Sequence, residues 1–104
     1  MSLSPTTGDF ITLEEAQSYV LEFRKEFPTA IKGYFAGGEN LQRILAQPDC
    51  IGLRIYNGLN VQDMSTNLVI VGVDSNELDM TSGLILEKTD SCPGTCDTTS
   101  ALYS

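Results

Sequence analysis

Leu68-Val69-Ile70-Val71-Gly72-Val73 is apolar without interruption, and a strand accepts such a run only when both of its faces are covered. The run predicts the central strand of a small sheet, and it requires cover from two sides. The chain has 104 residues, enough for one hydrophobic core and not for two. Few elements are left to supply that cover.

Thr12-Leu13-Glu14-Glu15 reads as a capping box, in which the Thr12 hydroxyl accepts from the amide of Glu15 while the Glu15 side chain reaches back. Leu13, Ala16, Val20, Phe23 and Phe27 then recur at steps of 3 and 4, building one apolar stripe. Pro28 disfavours helical geometry at Phe27, so the helix closes there. Residues 29–36 carry no clear period. Gly37-Gly38 interrupts the chain, and residues 39–46 place Leu41, Ile44 and Leu45 along a second, shorter helix stopped before Pro48. Ile51, Leu53 and Ile55 alternate with Gly52, Arg54 and Tyr56, the pattern of a half-buried strand. A bulge is expected at Asn57-Gly58, with the turn later, near residues 61–66. Residues 74–82 read as an acidic loop, residues 83–87 as a third short strand, and everything from Thr89 onward as an irregular tail containing Cys92-Pro93-Gly94-Thr95-Cys96. The expected fold is therefore α+β: two N-terminal helices packed on a small three-stranded antiparallel sheet, with an irregular cysteine-containing C-terminal tail. One domain is expected over 1–104, with an arm at 1–11, a core at 12–88 and a tail at 89–104.

Fourteen acidic residues face six basic ones, a formal charge of −8, which opposes binding to phosphate backbones or to anionic lipid. No nucleic-acid partner is expected. No stretch approaches the roughly 20 apolar residues of a membrane span, so no membrane insertion is expected either. There is no histidine, which removes the imidazole ligand, the best proton-transfer group at neutral pH, and the triads built on it. No nucleophile or acid/base pair can be assembled from the remaining residues, and the chain is expected not to be an enzyme.

The first residues hold neither a basic cluster nor an apolar run, so no secretory signal is read and the protein is expected in the cytoplasm, signal-independent export remaining open. In the cytoplasm Cys50, Cys92 and Cys96 would be free thiols; in an exported protein Cys92 and Cys96 could pair and leave Cys50 over. The spacing of Cys92 and Cys96 has three intervening residues where thioredoxin-like motifs have two. Cys50, Cys92 and Cys96 are weak metal candidates, with Asp49, Asp90 or Asp97 as a fourth ligand, because a second CxxC pair is missing. No cofactor is expected. Asp74-Ser75-Asn76-Glu77-Leu78-Asp79 departs from the EF-hand template at Leu78, Asp79 and Ile85, which favours a solvated acidic turn over a calcium loop. Asp74 and Asp79 could also act as paired carboxylates, given a cleft.

Two helices can shield one face of the sheet, and the other face then needs the tail, a second copy or another protein. Val69, Val71 and Val73 are accordingly expected at an interface. Arg54 and Tyr56 join them, since both residue types are enriched in interaction hot spots. Leu102 and Tyr103 end the chain as a docking segment might.

The stretches Ile31-Lys32-Gly33-Tyr34-Phe35, Ile44 through Tyr56, Leu68 through Asp74 and the Cys92-Pro93 to Cys96 tail together resemble a family of short, uncharacterised bacterial proteins. The resemblance implies that the strand pair and the cysteine tail form one recurring unit. It brings no activity, ligand or site residue with it. The expected function is a non-enzymatic structural or interaction protein, a self-associating subunit of a homo-oligomer or larger assembly. The alternatives are a small thiol-redox or metal-binding protein using the C-terminal cysteines, and an acidic immunity-like or inhibitor partner of a basic protein.

Overall fold

The chain is described by a computed structural model over residues 2–87, 89–92, 94 and 96–103. Its elements are α1 (Leu13–Glu26), β1 (Gly33–Phe35), α2 (Gly38–Leu45), β2 (Cys50–Asn60), β3 (Ser65–Asp74), β4 (Ile85–Leu86) and β5 (Asp90–Cys92). They fall into two compact units, Met1–Thr7 with Ala36–Thr89, and Gly8–Phe35 with Asp90–Ser104. The sequence suggested instead one domain with a trailing tail.

The first unit is built on the β2 and β3 hairpin, paired antiparallel from Asn60 opposite Ser65 down to Cys50 opposite Asp74. The register is regular through Gly58 opposite Asn67 and shifts only between Cys50 and Gly52, so the bulge lies at the start of β2 and not at Asn57-Gly58. Turn chemistry explains why the chain reverses beyond Asn60. The Asn60 side chain accepts from the amide of Gln62 at 3.0 Å, and Asp63 accepts from the amide and hydroxyl of Ser65 at 3.1 and 2.7 Å, while Met64 takes a positive φ of 58°. Strand β4 pairs only Ile85 with Val71 and Leu86 with Ile70, shorter than expected, and leaves β3 central in the order β2-β3-β4.

Directly opposed residues share a face of a sheet. Arg54 with Val71 and Tyr56 with Val69 therefore lie on one side, Leu53 with Gly72 and Ile55 with Ile70 on the other. Helix α2 packs against β2 and β3. Its Ile44 is 2% exposed, and just beyond it Gln47 donates to the Ile44 carbonyl at 2.9 Å and accepts from the amide of Leu84 at 3.0 Å. Gly72 permits this approach: a Cβ there would lie 3.0 Å from Cys50 Sγ, 3.1 Å from Gln47 Nε2 and 3.2 Å from Met80 Sδ.

Two segments the sequence did not suggest reach the Arg54 face. The N-terminal arm brings Leu3 and Pro5 to a cleft shared with Gly52, Arg54 and Val73, and the Leu3 amide donates to Glu77 at 3.1 Å. The acidic loop folds back so that Asp79 bridges Val73. Among the described residues the buried apolar set is Ile44, Ile70, Val71 and Val73. The expectation for two of the valines is thereby corrected. Val71 and Val73 are 4% and 3% exposed, Val71 between its neighbouring strands and Val73 beside the arm and the loop as well, and are not open to a partner; Val69 is half-buried.

In the second unit α1 has the expected capping box, with the amide of Glu15 donating to Thr12 Oγ1 at 3.1 Å and the amide of Thr12 to Glu15 Oε1 at 3.3 Å. It ends at Phe27, whose ring lies tilted against that of Phe23 with centroids 5.1 Å apart. The residues beyond Pro28 that lacked a period form β1, which pairs antiparallel with β5, Gly33 opposite Cys92 and Phe35 opposite Asp90. Only α2 shares a unit with the three-stranded sheet; α1 belongs with the β1 and β5 ribbon. That ribbon joins residues far apart in the chain, and period-based reading has no signal for such a pairing.

Candidate functional site

Arg54 and Tyr56, two residues apart on β2, project to the same face and meet Asp79 at the end of the acidic loop. Arg54 Nη1 donates to Asp79 Oδ1 at 2.6 Å, and the Tyr56 hydroxyl donates to the other carboxylate oxygen. The loop delivers Asp79 because its own polar groups are satisfied internally. Asp74 Oδ1 accepts from the amides of Asn76 and Leu78 at 2.9 and 3.1 Å, and Glu77 takes a positive φ of 67°. Asp74 thus shapes the turn, while Asp79 serves the cation and the phenol. The two do not act as a carboxylate pair. The sequence marked Arg54 and Tyr56 but paired them with nothing, since one aspartate among many polar loop residues carries no sign of its partner.

The bond to Asp79 holds the Tyr56 hydroxyl above its ordinary pKa, partial desolvation adding to the effect. Asp79 is held below the usual carboxylate range, chiefly by that same bond and further by Arg54, with desolvation opposing. Arg54 is raised by its bond to Asp79. These shifts fix the sign of a pH dependence. The depressed Asp79 contributes stability above the ordinary carboxylate pKa, lost as pH falls through its folded value. The raised Tyr56 contributes below about pH 10, and that contribution is lost as pH rises through its folded value. Melting temperature followed from neutrality to below about pH 4 should fall less steeply in Asp79→Asn than in the wild type. Parallel curves would show that the trio has no linkage to folding.

Cys92 and Cys96 are joined by a disulfide, with Cα atoms 4.9 Å apart, inside the span such a bond requires. Of the states the sequence left open for these two cysteines, free thiols or a pair, the structure has the pair, with Cys92 held in the ribbon by β5. The bond withdraws both thiolates from metal ligation. Cys50 is free and half-buried, its thiol directed at the carbonyl of Gly52 at 3.3 Å. Among the described residues no group of three or more Cys, Asp or Glu is arranged to hold a metal ion. Pro93 and Thr95 of the cysteine loop lie outside the described residues.

The disulfide borders a pocket of about 280 Å3 whose wall includes Arg24, Lys32, Asp97 and Tyr103. Arg24 donates to the carbonyl of Leu102, and Lys32 Nζ sits 4.9 Å from the centre of the Tyr103 ring. Leu102 and Tyr103 are therefore engaged by their own unit's helix and ribbon. Leu102 keeps 38% of its surface exposed.

In the outer half of the hairpin Ile55, Tyr56, Leu59, Val61 and Met64 are all open to solvent. Among the described residues no helix is long and apolar enough to cross a membrane. Compared with protein-family models, with curated proteins and with solved structures, the chain matches none.

Proposed function

We propose that the protein is a non-enzymatic structural subunit that assembles with copies of itself. The observation that carries this reading is the imbalance within the first unit. Among the described residues four apolar side chains are buried, whereas Ile55 (55%), Leu59 (52%), Val61 (73%) and Met64 (69%) stand exposed along the outer half of the hairpin. Several large apolar side chains left exposed along one hairpin of a small domain mark an interaction site. The Arg54, Tyr56 and Asp79 set reads as a structural tie, in which a strand cation and a strand phenol both donate to one loop carboxylate.

Self-association has to overcome the charge of −8 on each copy, so screening by salt should strengthen it. Size-exclusion chromatography with light scattering at about 50 μM, a concentration suited to interfaces of micromolar affinity, is expected to give at least twice the monomer mass of 11.3 kDa. The assembled fraction should rise between low and moderate ionic strength. A single monomeric species at every salt concentration would overturn the reading.

A further inference from the structure

We propose that two copies join through the outer half of β2, residues 55–59 of each running antiparallel with Asn57 on the twofold axis. The inference rests on the self-association reading and gives it a surface.

Strand β2 is an edge of the sheet, bordered by β3 on one side and by no other described strand on the other. Exposed edges in natural sheets are blunted by lysine, proline, a bulge or a covering segment. Residues 55–60 carry none of the first three, and Ile55, Tyr56 and Leu59 among them are exposed. Strand β2 contains neither lysine nor proline, and its register shift sits at the opposite end, between Cys50 and Gly52. The N-terminal arm lines a cleft with residues 51–54 of this strand. Beyond that point the strand presents an open ladder flanked by Ile55, Tyr56 and Leu59.

Charge and residue order select a second copy as the occupant. The chain carries −8, yet residues 50–73 hold only Arg54 and Asp63, one charge of each sign. Two hairpins can therefore meet without the repulsion the rest of the chain would impose, and the edge offers no acidic row to attract a basic protein. With Asn57 opposite itself, Ile55 of each copy faces Leu59 of the other, and Tyr56 faces Gly58. Apolar side chains then meet on one side of the sheet, and an aromatic ring lies over bare backbone on the other. A shift of the axis to Gly58 would set Asn57 against Leu59 and lose both pairings. The resulting interface is self-complementary, as a twofold contact must be, and continues the three strands of one copy into those of the other.

Residues directly opposed across an antiparallel pair have Cα atoms about 4.5–5.5 Å apart, within disulfide reach. In the full chain, Asn57→Cys should give a covalent dimer within minutes of mild oxidation, whereas Leu59→Cys, which would face Ile55, and the wild type should not. Ile55→Lys should weaken dimerisation at least tenfold by light scattering over a concentration series while keeping the wild-type circular dichroism spectrum. Should that variant fail to fold, hydrogen exchange on the wild type replaces it, the amides of residues 55–59 slowing as protein concentration rises. A wild type that is monomeric throughout overturns the self-association reading and this surface with it. A wild-type oligomer with no Asn57→Cys cross-link, and with Ile55→Lys assembling normally or residues 55–59 exchanging at a rate independent of concentration, overturns this surface alone.

Discussion

Ile44→Ala is expected to destabilise the first unit by about 2–5 kcal/mol, the range for truncating a buried isoleucine. Ile44 is 2% exposed and is the one fully buried large side chain among the described residues. It places helix α2 on the sheet, and next to it Gln47 ties the helix end to Leu84. Natural domains are stable by only about 5–15 kcal/mol, and a core with four buried apolar side chains among the described residues leaves little to redistribute, so the variant should lose much of its folded population. Leu45, its neighbour in sequence, is 44% exposed, and Leu45→Ala should stay within about 0.5 kcal/mol of wild type. Urea denaturation of the three proteins, compared at equal slopes, measures the difference. Equal midpoints for Ile44→Ala and Leu45→Ala would mean that α2 does not anchor the fold.

Breaking the disulfide should have the second largest effect, confined to the other unit. A bond that closes a loop over a sequence separation of 4 restricts the unfolded chain by roughly 2 kcal/mol in the loop-entropy account. The unit it serves has no buried apolar side chain among its described residues, so that amount is a large share of what holds it. Cys92 accepts from the amide of Lys32 at 2.6 Å and pairs with Gly33, and the turn carrying Leu102 and Tyr103 follows directly from Cys96. The paired Cys92→Ser and Cys96→Ser variant should lose about thirtyfold of the exchange protection at the amides of the β1 and β5 ribbon, the fold-change equivalent to roughly 2 kcal/mol. Amides of β2 and β3 should be unchanged. Protection of the ribbon at wild-type level in the variant would show that backbone pairing alone sustains it.

The elements that were legible in the sequence are those whose cause lies within a few residues. The capping box at Thr12 and Glu15, the stop at Pro28, the short helix before Pro48 and the alternation from Ile51 to Tyr56 each encode their own geometry. The run from Leu68 to Val73 had to be central, and it is. The bulge was misplaced because Asn57-Gly58 has the composition of a turn, yet its position in the ladder is held by continuous pairing on both sides, with Gly58 opposite Asn67. Tertiary context overrode local preference there. Strand β1 was missed because three residues around a glycine have no period to read, and their partner strand lies more than fifty residues further on.

The candidate site was legible by residue type and not by arrangement. Arg54 and Tyr56 stood out as unusual on an apolar strand, but their common acceptor Asp79 is 25 and 23 residues away. Leu3 and Glu77, whose contact helps bring the arm over Val73, are separated by 74 residues. The amino-acid sequence alone determined the helix starts, the strand periods and the need for cover on both sides of the central strand, because sterics, capping and hydrophobic period act over one or two turns of chain. Which segments supply that cover, which carboxylate meets Arg54, and which end of the hairpin stays bare were decided only by the tertiary structure. Many polar and small residues could fill those roles equally well, and only the packed chain brings one of them within reach.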